Sequence, residues 1–489
     1  MITSPLKILF INHTSDLAGA ERVLLELLHE FKNYPMINKI IIPNHGKFED
    51  YLKKEKIDYE IIPFSWWAKP NKVNEYDFYK KFSINIEAVS QIIKVINEFK
   101  PDLVYTNTLS MPWGAIAAAI TNTKHVWGIH EFGVLDHQFE FQFGYEQSMK
   151  LIGNLSDAVI TNSLAVKKNA EKYIDKKKVY QFYYHIDIPK KIKKSDIKFK
   201  NKTSLKLLVI GSIQRSKGQI DAVKAVNLLK KKNVELKIVG PVNDEKYLNE
   251  IKEYIDDNHL SDNITINSFT NNPLGIIKEA DAVILASRNE AIARVVFESM
   301  LLKKTIIGTD SGGTPEQIID KYSGLLYKPG DIDQLAKKID FLIKNPGKIV
   351  FFGENAYQYS LTKFTKKNYI DKIYQLFKTI NDNPPDKQVD NVFLVGLLRI
   401  VDEKNKQNQG ILTLNKYYKE SLDATKRQLD NYKERLKIIE KNLELHEKLE
   451  AQISKKENYI NSTIAELNNI KSAKIFKIIN LLKKIRILN

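Results

Sequence analysis

Two acidic residues eight positions apart give the strongest chemical signal in the chain. Glu290 and Glu298 bound the segment Glu-Ala-Ile-Ala-Arg-Val-Val-Phe-Glu, directly after an apolar run at Ala282–Ala286 that predicts a strand. Glu298 falls inside an apolar helix face, where a carboxylate is costly unless it has a partner. Because an ionised carboxylate accepts two hydroxyl hydrogens at once, a ribose diol is one such partner. A solvated glutamate on a surface helix stays the alternative.

A basic loop follows the apolar run at Leu205–Ile210. It reads Gly211-Ser-Ile-Gln-Arg-Ser-Lys-Gly218 and places Arg215 and Lys217 between a predicted strand and a predicted helix. Both cations are able to neutralise phosphate oxygens in a cleft. The loop is therefore a candidate diphosphate site, although surface loops of every kind often carry Arg and Lys.

Two glycine turns precede predicted helices. Gly19 opens the helical pattern at Ala20–Phe31, and Gly312, Gly313 and Thr314 form a turn closed by a proline and a glutamate. Glycine lets the main chain approach a ligand, and a helix N-terminus favours negative charge. Both turns are candidates for binding an anionic or polar ligand, and an ordinary helix start is the alternative.

Polar residues also follow two predicted strands of the first half. His130 and Glu131 come directly after the run His125–Ile129, and Asn162 and Ser163 follow the next run. The carboxyl ends of parallel strands face the ligand crevice of an open α/β sheet. These four residues are expected to line a cleft, with a structural role as the alternative for His130.

Alternating strand and helix patterns predict the elements that position these residues. Short apolar runs alternate with amphipathic patterns such as Glu87–Phe99 over residues 1–195, and the alternation restarts over 196–384. This pattern is typical of parallel sheets covered by helices. We predict an α/β fold of two Rossmann-like, doubly wound domains facing each other across a cleft. Two positions stay open for a final helix at about 366–380: on the second domain, or crossed back onto the first domain.

The remaining residues predict a helical extension. Apolar residues recur at 3/4 spacing within residues 385–471, which indicates a coiled-coil-like helix that pairs with itself, folds back or docks on the body. Residues 472–489 carry five basic side chains, no acid, and an apolar face. This basic amphipathic helix is expected to bind an anionic membrane surface, with packing on the protein body as the alternative.

Composition excludes several classes of function. The 489 residues have a net charge of +17 and no cysteine, so disulfides and thiolate chemistry are excluded. No nucleic-acid-binding signature, metal-binding cluster or membrane-spanning run is found in the sequence, and the start lacks the pattern of a signal peptide. We expect a cytoplasmic protein, attached at most peripherally to the inner face of the membrane, that needs no metal or cofactor and binds no nucleic acid.

Taken in order, these segments resemble glycosyltransferase family 4, a retaining family of the GT-B architecture with a Glu-x7-Glu element. Ser287-Arg-Asn-Glu290 and Glu298-Ser-Met300 match the surroundings of that element. The resemblance implies that Glu290 binds the donor sugar and that Glu298 binds the nucleotide ribose. Departures are Ala293 and Ala18, where the family usually has glycine, and Ser212, where arginine is common.

The same resemblance assigns the other candidates to roles. Lys217 and Arg215 would clamp the pyrophosphate, and His130 would lie beside the donor sugar as a catalytic residue together with Glu290. The further donor-binding residues would be Gly19, Arg294, Gly312, Gly313 and Thr314. Glu131, Asn162 and Ser163 would line the cleft or bind the acceptor.

The predicted function is therefore a retaining, metal-independent glycosyltransferase. It would move a sugar from a nucleotide sugar to a glycan or a lipid-linked acceptor in cell-surface polysaccharide assembly. Two alternatives stay open: a sugar-nucleotide 2-epimerase on the same architecture, and a non-catalytic scaffold that works through its coiled coil as a homo-oligomer.

Overall fold

The computed structural model describes residues 4–70, 75–185, 204–229, 233–268, 270, 272–384, 454–459 and 461–462. The chain forms two compact units, Met1–Asp402 and Glu403–Asn489. In the second unit the described residues are helical and exposed. The boundary predicted at 195, most of the extension 385–471 and the basic helix 472–489 lie outside the described residues.

The first sheet has seven parallel strands in the order β3-β2-β1-β5-β6-β8-β9, and a separate antiparallel pair joins β4 to β7. The strands are β1 Leu6–Ile11, β2 Met36–Ile42, β3 Asp58–Ile61, β4 Ala68–Pro70, β5 Leu103–Asn107, β6 Lys124–Ile129, β7 Phe139–Phe141, β8 Ala158–Thr161 and β9 Val179–Gln181. The helices between them are α1 Gly19–Phe31, α2 Lys47–Glu55, α3 Glu75–Phe99, α4 Trp113–Ile120, α5 Val134–His137, α6 Tyr145–Leu155 and α7 Leu164–Ala170. Central strands such as β5 are buried throughout because helices cover both faces.

The second sheet has six parallel strands in the order β12-β11-β10-β13-β14-β15. The strands are β10 Leu205–Ile210, β11 Val234–Val239, β12 Ile264–Asn267, β13 Ala282–Leu285, β14 Thr305–Thr309 and β15 Leu325–Tyr327. The helices are α8 Gln219–Leu228, α9 Glu245–Asp257, α10 Pro273–Glu279, α11 Arg294–Leu301, α12 Thr314–Gln317, α13 Ile332–Lys344, α14 Pro346–Lys363 and α15 Lys372–Asp382. The prediction of two Rossmann-like, doubly wound domains is confirmed.

Strand order locates the ligand crevice of each sheet. In the second sheet the strand order reverses between β10 and β13, and in the first sheet it reverses between β1 and β5. Open α/β sheets bind ligands outside the carboxyl ends of the strands at such a switch point. The loops after β1, β10 and β13 carry Gly19, Lys217 and Glu290, so these residues belong to the two crevices.

Helix α15 packs on the first sheet domain. Phe377 of α15 is buried, with its ring centroid 6.1 Å from that of Phe31 and 6.0 Å from that of Tyr105. The Tyr34 hydroxyl donates a hydrogen bond to Asp371, just before α15. One buried apolar cluster includes both Phe31 of α1 and Phe297 of α11. The two sheet domains therefore share a packed interface.

Candidate active site

Lys217 and Glu290 form an ion pair at the edge of the second sheet. Their strands, β10 and β13, are parallel neighbours, so the loops that follow them meet. Lys217 Nζ lies 2.8 Å from Glu290 Oε2, and the Ser287 hydroxyl donates to the same oxygen at 2.8 Å. Burial would raise the pKa of Glu290, but the charge and hydrogen bond of Lys217, aided by Ser287, lower it below its ordinary value. The site thus holds an ionised carboxylate next to an ammonium group.

The Gly312–Gly313 turn packs directly on the segment that carries Glu290. The Gly313 amide donates to the Glu290 carbonyl at 2.8 Å. A Cβ on Gly312, whose φ is +56°, would lie 2.2 Å from that carbonyl oxygen, and one on Gly313 would lie 2.0 Å from the Ala291 carbonyl oxygen. Only glycine fits this close approach. Thr314 follows, buried, and among the described residues its hydroxyl has no hydrogen-bond partner.

Arg294 connects the two domains at the first turn of α11. Its guanidinium donates to both carboxylate oxygens of Glu26 on α1, at 2.9 and 3.2 Å, and lies 4.0 Å from Glu298. A Cβ on Gly19 would lie 3.9 Å from the Arg294 side chain, so the Gly19 turn faces α11. Burial raises the pKa of Glu298, while the charges of Arg294 and Arg22 act in the opposite direction. Glu298 is a half-buried acid that lies close to two arginines.

His130 is held by hydrogen bonds at both ring nitrogens. Nε2 lies 2.6 Å from the Asn107 side-chain oxygen and therefore donates, while Nδ1 accepts from the Tyr184 hydroxyl. The Asn162 amide donates to the same hydroxyl at 3.0 Å and to the His130 carbonyl at 2.8 Å. Burial lowers the pKa of His130 to about 4, so the ring is neutral at pH 7. Neither ring nitrogen is free to bind a ligand in this arrangement, and the predicted catalytic role stays a prediction.

Glu131 and Ser163 lie at the same edge of the first sheet. Glu131 accepts a hydrogen bond from the Leu109 amide at 2.7 Å, and its burial raises its pKa to about 8. The Ser163 hydroxyl caps α7 by accepting from the Val166 amide, and its Cβ would be 3.1 Å from a Cβ on Gly313. Ser163 therefore contacts the glycine turn of the second domain.

Arg215 lies apart from the other donor-site candidates. Its guanidinium is 2.7 Å from a carboxylate oxygen of Glu250 and 3.8 Å from one of Asp244, and it lies over the Tyr247 ring. Arg215 and Lys217 occupy one 3₁₀ turn, where side chains two residues apart point in different directions. The expectation that both cations face one ligand is not met: Lys217 reaches Glu290 and Arg215 reaches the surface of α9.

Two acids at the cleft, Glu26 and Asp136, were missed by the sequence analysis, and Glu316, the glutamate that closes the glycine turn, was given no role. Glu26 binds Arg294 as described above. Glu316 accepts hydrogen bonds from the Leu164 and Ala165 amides at 2.7 and 2.8 Å, which ties its loop to the first domain. Asp136 is buried and accepts from the Phe132 amide at 2.8 Å. Neither Glu26 nor Asp136 lies in a spaced motif that could have pointed to it.

The described ranges contain no group of three or more His, Cys, Asp or Glu side chains placed to hold a metal ion. None of the described helices is long and apolar enough to cross a membrane.

The buried Glu21 predicts a pH-dependent stability. It lies under the Gly19 turn, accepts from the Ala18 amide at 3.2 Å, and has its Oε1 3.0 Å from His13 Nδ1. Burial raises its pKa from 4.5 to about 7. As the pH rises, Glu21 loses its proton near pH 4.5 in the unfolded chain but only near pH 7 in the folded protein. The protonated group therefore stabilises the fold fully below pH 4.5, and this stabilisation is lost as the pH rises through 7.

A Glu21→Gln variant stays neutral and keeps the cap on Ala18. We expect its advantage over the wild type in free energy of unfolding to grow between pH 4.5 and pH 7.5 to about 3 kcal/mol. Urea unfolding of both proteins at each pH measures this difference in free energy of unfolding. Glu131, whose pKa is also raised, is present in both proteins, so its own contribution cancels in the comparison. A difference that is constant with pH would contradict the assigned protonation of Glu21.

Two facing Rossmann-like domains with their ligand residues at the strand ends define the GT-B class of fold. Two family models match consecutive parts of the chain: Glycosyltransferase Family 4 over residues 17–188 and Glycosyl transferases group 1 over residues 190–359. The chain is a member of glycosyltransferase family 4, as the sequence resemblance predicts.

Individual relatives agree with this assignment. An uncharacterized glycosyltransferase of Methanocaldococcus jannaschii is 26% identical over 76% of this chain and 96% of its own length. The poly(ribitol-phosphate) alpha-N-acetylglucosaminyltransferase of Staphylococcus aureus is 25% identical over 26% of each chain. The crystal structure of HepE from Anabaena in complex with UDP-glucose shares the fold, with a TM-score of 0.61, 20% identity and coverage of 77% of this chain and 100% of HepE.

Proposed function

We propose that this glycosyltransferase is a retaining, metal-independent enzyme that transfers a sugar from a nucleotide sugar to a glycan or lipid-linked acceptor. The observation that carries the proposal is the half-buried pair of Lys217 and Glu290 at the switch point of the second sheet. A cation at this position binds the negative charge of a diphosphate, and an acid beside it accepts hydrogen bonds from sugar hydroxyls. Lys217 exchanges its contact with Glu290 for the phosphates when the donor binds.

The remaining contacts follow from the same geometry. Glu298, partly balanced by Arg294, accepts the ribose hydroxyls, and Gly312 and Gly313 bring the main chain close to the sugar. Gly19 faces this site from the first domain, so domain contact excludes water from the activated sugar. Lys217 and the adjacent main-chain amides stabilise the leaving diphosphate electrostatically. We propose that the anomeric configuration is retained, as the family resemblance implies. His130 holds the side chains of Asn107 and Tyr184 in place in the cleft through its two hydrogen bonds.

The relatives suggest where to begin with substrates. HepE was solved with UDP-glucose and the staphylococcal relative is named for a polymeric acceptor, so UDP-hexoses and cell-surface polymers are the first substrates to try. Membrane attachment through 472–489 and self-association through 385–471 stay predictions of the sequence. Sedimentation with anionic vesicles, with and without residues 472–489, measures the first of them.

One assay separates the proposed function from its two alternatives. The purified chain is incubated with UDP-glucose, UDP-galactose or UDP-N-acetylglucosamine, with and without an acceptor mixture prepared from bacterial cell-surface glycans. We expect UDP release that depends on the acceptor, with new sugar on the glycan. Conversion of the free nucleotide sugar to its 2-epimer without an acceptor indicates the epimerase, and absence of donor binding to the intact chain favours the scaffold.

A further inference from the structure

A row of partly exposed aromatic rings lies on the first domain beside the candidate active site. His13 packs on Trp66 with a centroid distance of 5.1 Å, and Trp66 meets Phe139 edge-on at 6.3 Å. Phe139 stacks on His137 at 5.2 Å and 22°. These four residues, called the aromatic row below, join the loop after β1 to the antiparallel pair β4–β7.

The aromatic row is rigid and accessible. The Trp66 indole donates to the His13 carbonyl at 2.7 Å, which fixes the orientation of its ring. Behind it, Trp67 and Phe141 are buried, and the Trp67 indole donates to the Leu109 carbonyl at 2.6 Å. Trp66 and Phe139 keep partial exposure on this buried support. A fixed, partly exposed aromatic face is a surface on which the apolar face of a ligand can stack.

Hydrogen bonds join the His13 end of the row to the candidate active site. Asn12, next to His13, accepts from the Asn107 side-chain amide at 2.8 Å, and Asn107 accepts from His130 at 2.6 Å. At the other end, burial raises the pKa of Glu290, and nearby charges, that of His137 among them, lower it.

A buried carboxylate with a free oxygen adjoins the row. Asp136 precedes His137 and is 5% exposed. Its Oδ2 accepts from the Phe132 amide, but within the described part of the chain its Oδ1 has no hydrogen-bond partner. An unpaired buried polar atom is costly and indicates a missing partner. Asp136 is also close enough to the second domain for the charges of Glu290 and Lys217 to act on its pKa, after the effects of burial, His137 and the Phe132 amide.

We propose that the aromatic row and Asp136 form the acceptor site, where a pyranose ring of the acceptor stacks on Trp66 and touches Phe139 while one of its hydroxyls donates to Asp136 Oδ1. This inference rests on the proposed function and deepens it by naming a saccharide, rather than a lipid chain or a peptide, as the group that is recognised. An acyl chain would cover the rings and leave Asp136 unpaired. A pyranose matches both the rings and Asp136, because it has apolar C–H faces and a rim of hydroxyl donors.

Saturation-transfer NMR on the full-length chain tests this site. The probes are methyl α-glucopyranoside, methyl β-galactopyranoside and methyl N-acetyl-β-glucosaminide, each in the presence of UDP. We expect ring-proton signals for at least one glycoside, reduced about 5- to 10-fold in Trp66→Leu and largely kept in Trp66→Phe. The matched control is Phe351→Leu, an exposed aromatic on α14 that is expected to change nothing.

A second variant and a donor control make the result decisive. Asp136→Asn is expected to raise the acceptor KM about tenfold while the affinity for UDP stays within about twofold of the wild type. Signals that are equal in wild type and Trp66→Leu, or absent for every glycoside in a wild type that binds UDP, overturn the acceptor site. Absence of binding of UDP, ADP and GDP alike to the wild type would instead contradict the proposed function.

Discussion

Replacing Lys217 by methionine is expected to lower kcat/KM for the sugar donor by about 100- to 1,000-fold. The ammonium group is the cation paired with Glu290, and it is the group assigned to the leaving diphosphate. Methionine fills a similar volume without charge. Initial rates of UDP release at varied donor concentration measure the effect.

Two control variants distinguish lost catalysis from lost folding. Lys217→Met leaves Glu290 buried without its cation, which destabilises the fold, whereas the double variant Lys217→Met/Glu290→Gln removes both charges and restores the melting temperature without restoring activity. Arg215→Met removes a cation from the same turn, but one that contacts Glu250, and is expected to change kcat/KM less than about threefold. Equal losses of kcat/KM in Arg215→Met and Lys217→Met would contradict the assignment of Lys217 to the leaving diphosphate.

The second large effect is expected for Glu298→Gln. A glutamine makes a weaker, neutral acceptor for the ribose hydroxyls, so the affinity for UDP should fall about 100-fold. Burial already penalises the ionised form of Glu298, so the neutral variant should be as stable as the wild type at pH 8 or more stable. Calorimetric titration measures the affinity, and thermal unfolding measures the stability.

The exposed Glu253 on α9 provides the matched control, and Glu253→Gln should bind UDP as the wild type does. An unchanged UDP affinity in Glu298→Gln would show that the second acid of the Glu-x7-Glu element binds something other than the nucleotide.

The fold follows from the sequence where the sheet is buried on both faces. The runs Ala282–Ala286 and Leu205–Ile210 predict β13 and β10 to within one residue, because strands covered by helices are largely apolar. The short edge strand β3 and the pair β4–β7 escape prediction, since three or four residues carry too little pattern. Helix α3 begins at Glu75, twelve residues before the predicted start at Glu87, and its aromatic first half lacks a clear helical period.

The candidate site can be predicted where neighbouring strand ends of one domain supply its residues. It cannot be predicted where residues of two domains meet. Lys217, Glu290 and Gly312 are adjacent because neighbouring strands end side by side, which strand order alone implies. Asp136 gives no such signal. Its burial is a property of the folded chain, and two of the charges that act on its pKa, those of Glu290 and Lys217, belong to the other domain. The partner of Arg215 was also unpredictable, because Glu250 reaches it from a separate helix.

Calorimetric titration of nucleoside diphosphates into the wild-type protein tests the central claim most directly. The claim is that the two sheet domains build one binding site for the diphosphate of an activated sugar. We predict saturable binding of UDP, or of ADP or GDP in its place, in the micromolar range, and its loss in both Lys217→Met and Glu298→Gln. Absence of binding for all three diphosphates at millimolar concentration, or equal binding by the wild type and both variants, would contradict it.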